Sequence, residues 1–333
     1  MSKDYKSMWS GMGLNLEAHD GLLAVLSDAY KGIYLSQKQR PAGMGYFDFV
    51  ISEVHGLRIE EIVNAKESGK HVIGTFCVYV PEELVLAVDG VCIGLCAGAD
   101  VGTDEAEKYI PKNTCALIKA FMGFKLAGLC PYVQLTNMIV GETTCDGKKK
   151  AYEIFNEITK KVYVMELPNM KSVDGKKLWK NEVKKFATKL EELTGKKITL
   201  DKLKDACRVV NEKRKALQRL SALRSAKPSP ISGLDALLVN QVSFLTIQFD
   251  LRQRSTNSAM SLTNASSRRP TLLRQKVRGF SSRARPWRSP TGSSMPSLRE
   301  VVPSLSERSH VLERETSEPC SMRVLHLRKR PLK

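Results

Sequence analysis

Two spacings of apolar residues run through this chain, and each predicts a different element. Asp48 to Val54 is dense in apolar and β-branched residues, and so is Lys70 to Val80, whose run Val72-Ile73-Gly74-Thr75-Phe76-Cys77-Val78-Tyr79-Val80 reads as a buried strand. Pro81-Glu82-Glu83 then opens a helix, because proline suits the first helical position and acidic side chains suit its positive end. Met138 to Gly141 and Val162 to Pro168 are two further short strands, with a helix-length segment between them that begins near Asp146. A strand, a helix and a second strand at that spacing predict a parallel-sheet unit.

From Lys176 the period lengthens. Val183, Phe186, Leu190 and Leu193 fall at helical spacing and Thr194-Gly195 closes that segment. Thr199 caps a second helix to about Ala226, with Leu203, Ala206, Cys207, Val210, Leu217 and Leu220 facing inward. Pro228-Ser229-Pro230 ends it, and Gly233 to Phe244 is a shorter apolar helix. The expected fold class is α/β, a parallel-sheet Rossmann-like domain with helical additions. The expected organisation is a helical and strand N-terminal segment over 1–60, an α/β domain over 61–170, a helical bridge over 171–245 and a separate tail over 246–333. No internal repeat is visible.

The 333 residues are 42% hydrophobic, enough for a core in each of two domains. No run approaches eighteen apolar residues and Met1 to Ser10 is polar, so the expected location is cytoplasmic. A net charge of +18 would ordinarily suggest nucleic acid or an anionic membrane. Its placement changes that picture. Residues 1–250 hold 35 Lys+Arg against 30 Asp+Glu, whereas residues 251–333 hold 18 against 5, fifteen of the basic residues there being arginine, with sixteen serines and no aspartate. Such a tail reads as a disordered basic arm or as an RNA-binding arginine/serine segment.

The cysteines carry the chemistry. Five of the eight, Cys92, Cys96, Cys115, Cys130 and Cys145, lie within residues 92–145. Without a secretion signal a disulfide framework is not expected, and no Cys-x-x-Cys pair or nearby histidine argues for zinc. A lone cysteine is ordinarily a small buried apolar residue, and Cys77 in its strand and Cys207 on its helix stripe read that way. Cys115, Cys130 and Cys145 instead stand at element boundaries, as ligands drawn from several loops to one iron–sulfur cluster would. Thr143-Thr144-Cys145-Asp146-Gly147-Lys148-Lys149-Lys150 is the sharpest signal: it follows a strand and precedes a helix, so amide dipoles and three cations favour bound anionic sulfur.

Thr75 to Leu84, Leu129-Cys130-Pro131-Tyr132-Val133 and Val140 to Lys150 together resemble the catalytic component of the 2-hydroxyacyl-CoA dehydratase and benzoyl-CoA reductase family, and most closely its double-cubane-cluster anaerobic reductases. The resemblance runs from about Lys3 to Phe244. It implies two α/β domains around an oxygen-sensitive iron–sulfur cluster, either [4Fe-4S] or double-cubane. Positions matching Cys115 and Cys145 would give two thiolates, and the double-cubane branch would add positions matching Cys96 and Cys130. Glu142, Asp146 and Lys148 are expected around the cluster. An ATP-hydrolysing iron–sulfur activator would supply low-potential electrons, and a second copy or a homologous subunit would complete a dimer. The alternative is an α/β scaffold with a basic RNA-binding tail.

After Phe244 the family pattern continues with a Tyr-Asp-Asp-Pro-Val-Arg-Phe string and a second sheet domain, and this chain does not. The codons of Thr246 to Leu251, read one base earlier, nevertheless permit Asp-Asp-Pro-Ile/Val-Arg-Leu/Phe. The same shift on Asn257 to Thr263 permits Glu-Leu-Cys-Asp-Glu-Leu-Asp, and Ser304 to Arg314 conceals a permitted Val-Ile-Val-Gly-Glu-Glu-Ser-Cys-Ile-Gly-Thr. The expectation is a single frameshift near Phe244, which accounts for the Arg/Ser excess and leaves Cys320 without an evolved role. Sequencing the gene through codon 244 checks it: an extra or missing base restores the second-domain strings, and one uninterrupted frame removes the idea.

Overall fold

A computed structural model describes residues 4–245, apart from 96–98, 100 and 227, all within one unit, Met1–Arg268. Cys96 and the tail from residue 246, Cys320 included, therefore lie outside the described residues. Four strands form one sheet in the order β2-β1-β3-β4, all parallel: β1 (Val72–Thr75), β2 (Val91–Gly94), β3 (Met138–Glu142) and β4 (Val162–Met165). Every residue of β1 and β3 is buried. Unbroken apolar runs are what a parallel sheet covered by helices on both faces requires. The expected α/β class and the parallel unit around residue 146 are both present.

Two local expectations fail. Asp48 to Val54 is not a strand; Met44–Ser52 is a helix, α3, among the elements α1 (Lys6–Gly11), α2 (Leu16–Tyr30), α3 and α4 (Leu57–Glu67) that precede the sheet. Met44, Phe47 and Val50 recur every third residue, and all three are buried against Leu238 and Val242 of α12 (Gly233–Leu245). That helical stripe outweighs the local β-branched content. The strand expected over 70–80 stops at Thr75, because the ring of Phe76 turns into an aromatic cluster with Phe121 at 4.5 Å, Tyr152 at 5.5 Å and Phe155 at 6.1 Å. Residues 77–80 curl into Pro81, the N-cap of α5 (Glu82–Ala87), leaving Val78 and Tyr79 exposed.

Between the strands run α6 (Thr103–Ala106), α7 (Ala116–Leu126), α8 (Pro131–Leu135) and α9 (Asp146–Thr159). Helix α9 packs so closely on β3 that a Cβ on Gly141 would meet the Tyr152 ring at 2.7 Å. Gly123 of α7 likewise faces Gly102, whose carbonyl group an added Cβ would strike. After β4 come α10 (Val173–Thr194), capped by Ser172 and closed by Gly195 at φ 67°, and α11 (Leu200–Leu223), capped by Thr199. Both helices fall where the caps and the period predict them. Salt bridges from Lys213 to Glu82 and from Arg214 to Glu83 tie α11 to α5. Among the described residues no helix is long and apolar enough to cross a membrane.

One ionic cluster fixes α12 to the N-terminal helices. Arg40 reaches Asp48 of α3 through both terminal nitrogens, at 2.9 and 2.8 Å, and its Nε reaches Asp235 of α12 at 2.8 Å. Asp235 is 1% exposed and its second oxygen has no partner, so the guanidinium is what makes that burial tolerable. Arg40→Ala should lower unfolding stability by about 3–5 kcal/mol, as breaking a buried pair does. Urea denaturation followed by circular dichroism measures it, and Arg40→Lys should recover only part of the loss because lysine lacks the planar fork.

Candidate functional site

Cys115, Cys130 and Cys145 share one local role: each is the N-cap residue of a helix, of α7, α8 and α9 respectively. An N-cap residue faces the unpaired amides of the first helical turn. At Cys115 and Cys145 no side chain accepts from those amides, and both are exposed free thiols. Both therefore present sulfur where helix dipoles attract negative charge.

Packing brings these two helix starts together. A Cβ on Gly147, in the first turn of α9, would lie 3.0 Å from Cδ1 of Ile118 in the first turn of α7. Further along, Phe121 meets Tyr152 at 6.3 Å and Phe155 at 5.2 Å, so the two helices run side by side in the same direction. Because β3 leads directly into α9, both starts sit at the carboxyl edge of the sheet, where parallel α/β proteins build their sites. Thr143 holds the intervening turn, its N–H donating to the Met165 carbonyl at 3.1 Å and its Oγ1 accepting from the Leu167 N–H at 2.8 Å.

Cys130 is not brought to that edge. It follows the opposite end of α7, an 11-residue helix that spans about 16 Å, and it is buried. Burial pushes its thiol up to about 11, with the Val133 and Tyr132 amides pulling the other way. Cys92, within β2, is pushed up to about 12, mainly by burial and then by Glu82. Cys77 is the residue that sequence reasoning sets aside. It lies two residues beyond the carboxyl end of β1, half-buried, at the edge that carries Cys115 and Cys145. The signal that could have found it is Pro81, which marks a helix start and so limits how far the strand can continue.

The three residues expected around the cluster separate. Glu142 ends β3 with 1% exposure, and Lys148 of α9 reaches its Oε1 at 2.8 Å, itself 7% exposed. Burial raises the Glu142 carboxyl above its ordinary range while the Lys148 ammonium and the Tyr152 hydroxyl oppose the shift. This pair bridges the turn that carries Cys145 and clamps the strand to the first turn of the helix. Asp146 is exposed and pairs with Lys149 at 3.4 Å, while Lys150 pairs with Glu153 at 2.5 Å. The three lysines of the motif thus each face a carboxylate. Among the described residues no three His, Cys, Asp or Glu side chains stand close enough together to hold a metal ion. Two free thiols at adjacent helix starts fit two positions of an iron–sulfur centre, with the remaining donors outside this group.

Comparison with known proteins supplies an independent line. The family described as "2-hydroxyglutaryl-CoA dehydratase, D-component" matches residues 77–316. The chain is 40% identical over 190 residues to the putative dehydratase subunit YjiM of Escherichia coli (strain K12), covering 57% of this chain and 49% of that one. It is 29% identical over 170 residues to the (R)-phenyllactyl-CoA dehydratase beta subunit of Clostridium sporogenes, covering 50% and 44%. It is 24% identical over 177 residues to a benzoyl-CoA reductase subunit of Thauera aromatica, covering 52% and 45%. The chain spans about half the length of the curated relatives it matches.

Lys148→Met leaves the Glu142 carboxylate buried without its cation and should cost about 3–5 kcal/mol. Glu142→Gln combined with Lys148→Met should recover most of that loss, since the uncompensated charge is gone; thermal unfolding of the wild type and the two variants tests the clamp.

Proposed function

Because the chain belongs to the 2-hydroxyglutaryl-CoA dehydratase D-component family, whose members include dehydratase and reductase enzyme subunits, we propose that it is an iron–sulfur subunit of a 2-hydroxyacyl-CoA dehydratase or a double-cubane-type reductase. The observation that supports this reading most is the pair of free N-cap thiols, Cys115 and Cys145, on abutting helix starts at the carboxyl edge of the sheet. Two thiolates so placed would supply two ligands to one iron centre, and the α7 and α9 dipoles would offset their negative charge. The cluster, when bound, would pass single electrons at low potential. The chain's own contribution is to hold those thiolates at one edge, to pin the Cys145 turn through Glu142 and Lys148, and to keep water from the Phe76–Phe121–Tyr152–Phe155 cluster beneath them.

Cys96, which follows β2, is proposed as a further ligand, and Cys77 is available at the same edge. Cys130, beyond the far end of α7, enters only if the centre extends to a second cubane or α8 rearranges. The proposed partners are a homologous or identical subunit and an ATP-hydrolysing iron–sulfur activator that delivers the electron. The names of the relatives, two of them subunits of acyl-CoA dehydratases, support the first. We also propose that the frame shifts near Phe244, so that the remaining ligands belong to a second domain encoded in the alternative frame.

Anaerobic reconstitution with iron and sulfide tests the assignment. The frame-restored protein should turn brown with broad absorbance near about 400 nm, as thiolate-bound iron does. Cys115→Ser and Cys145→Ser should each lower bound iron at least about twofold, and Cys92→Ser should leave it unchanged. Wild-type iron content in both Cys115→Ser and Cys145→Ser would overturn the reading, and the Cys130→Ser arm separates one centre from a double one.

A further inference from the structure

His19 and His55 form a buried imidazole pair far from the cysteines in sequence. His19, on α2, has no exposed surface, and its Nε2 lies 2.6 Å from Nδ1 of His55 in the turn between α3 and α4. The rings stack with centroids 4.9 Å apart, and Trp9 of α1 sits edge-on to His19 at 4.5 Å. The Trp9 indole N–H donates to the His55 carbonyl at 2.7 Å, and the Tyr132 ring of α8 closes the far side at 6.3 Å. The other His19 nitrogen, Nδ1, is buried and has no hydrogen-bond partner.

A neutral pair satisfies this contact, one ring donating and the other accepting across the shared edge. An added proton that puts N–H on both facing nitrogens turns donor against donor at 2.6 Å and leaves a charge in an apolar pocket. The surrounding groups do little to accept that charge. Asp20, on α2, favours it but is paired with Lys6 of α1 at 2.8 Å. Tyr5, the N-cap of α1, donates to Glu53 at 3.2 Å, Arg58 of α4 pairs with Glu61 at 2.6 Å, and Tyr132 donates its hydroxyl to the Val54 carbonyl at 2.6 Å. Cys130, next to that tyrosine on α8, is buried and favours the neutral form. Among the described residues no carboxylate hydrogen-bonds either imidazole.

We infer that the His19–His55 pair is an acid-released latch that holds the N-terminal helices α1 and α2 against the α3–α4 turn and the start of α8. The direction of the titration agrees with the geometry. Burial lowers the His19 value, and burial followed by the neighbouring His19 lowers His55 to about 3. With the folded values below the ordinary value of about 6.5, the latch holds fully above about pH 6.5 and weakens as pH falls toward 3.

Hydrogen exchange of the full chain between pH 7 and pH 4 tests the latch, alongside Trp9 emission in a Trp179→Phe, Trp287→Phe background. After correction for intrinsic rates, protection of α2 amides should fall about tenfold per pH unit for each imidazole protonated on opening, while β1 and β3 amides stay protected. His19→Gln with His55→Gln should flatten both the α2 profile and the Trp9 emission change. An unchanged slope in that double variant overturns the inference. So does loss of protection in α2 and β3 in step in the wild-type chain, a result that does not depend on how the double variant folds.

Discussion

The packing of α9 on β3 sets the geometry on which everything else at the carboxyl edge depends. Gly141 lets the Tyr152 ring lie against the strand, at a distance no larger residue would permit. That ring, with Phe76, Phe121 and Phe155, forms the aromatic layer on which α7 also rests. The two helices run the same way on that layer, and the approach of Gly147 to Ile118 sets their first turns at the same level. Their N-cap residues are Cys115 and Cys145, so a purely apolar contact delivers two thiols to one place.

Charge is placed with similar economy. Burying Glu142 at the end of β3 would be unfavourable alone, and Lys148 answers it from the first turn of α9. The consequence is positional: the turn Thr143–Cys145 is held at both ends, by the ion pair beneath it and by the contacts of Thr143 with the β4 end. Arg40 performs a comparable task for α12 through Asp48 and Asp235. In both places one buried cation ties elements together, neighbours in sequence at Glu142–Lys148 and remote ones at Arg40–Asp235.

Much of the fold is legible in the chain. The β3–α9–β4 unit, the capped helices α10 and α11, and α12 follow from period, caps and breakers, because each is a local signal. Helix α3 is the element that local pattern misreads, because Asp48 to Val54 is rich in β-branched and aromatic residues and only its seating on α12 reveals the three-residue stripe. Strand β1 comes out too long for a related reason. Phe76 is as apolar as its neighbours, yet its ring belongs to the α7–α9 layer and ends the strand. The same error hides Cys77, which the apolar run places inside the strand.

What the sequence determined by itself is the family, the parallel α/β class and the boundary character of Cys115, Cys130 and Cys145, since composition, spacing and caps are properties of adjacent residues. Tertiary structure decided which of those cysteines meet. Cys115 and Cys145 are thirty positions apart and share an edge, whereas Cys130, between them in sequence, lies at the far end of α7. The direction of a helix relative to the sheet is fixed by long-range side-chain packing, and the chain's local pattern carries no record of it.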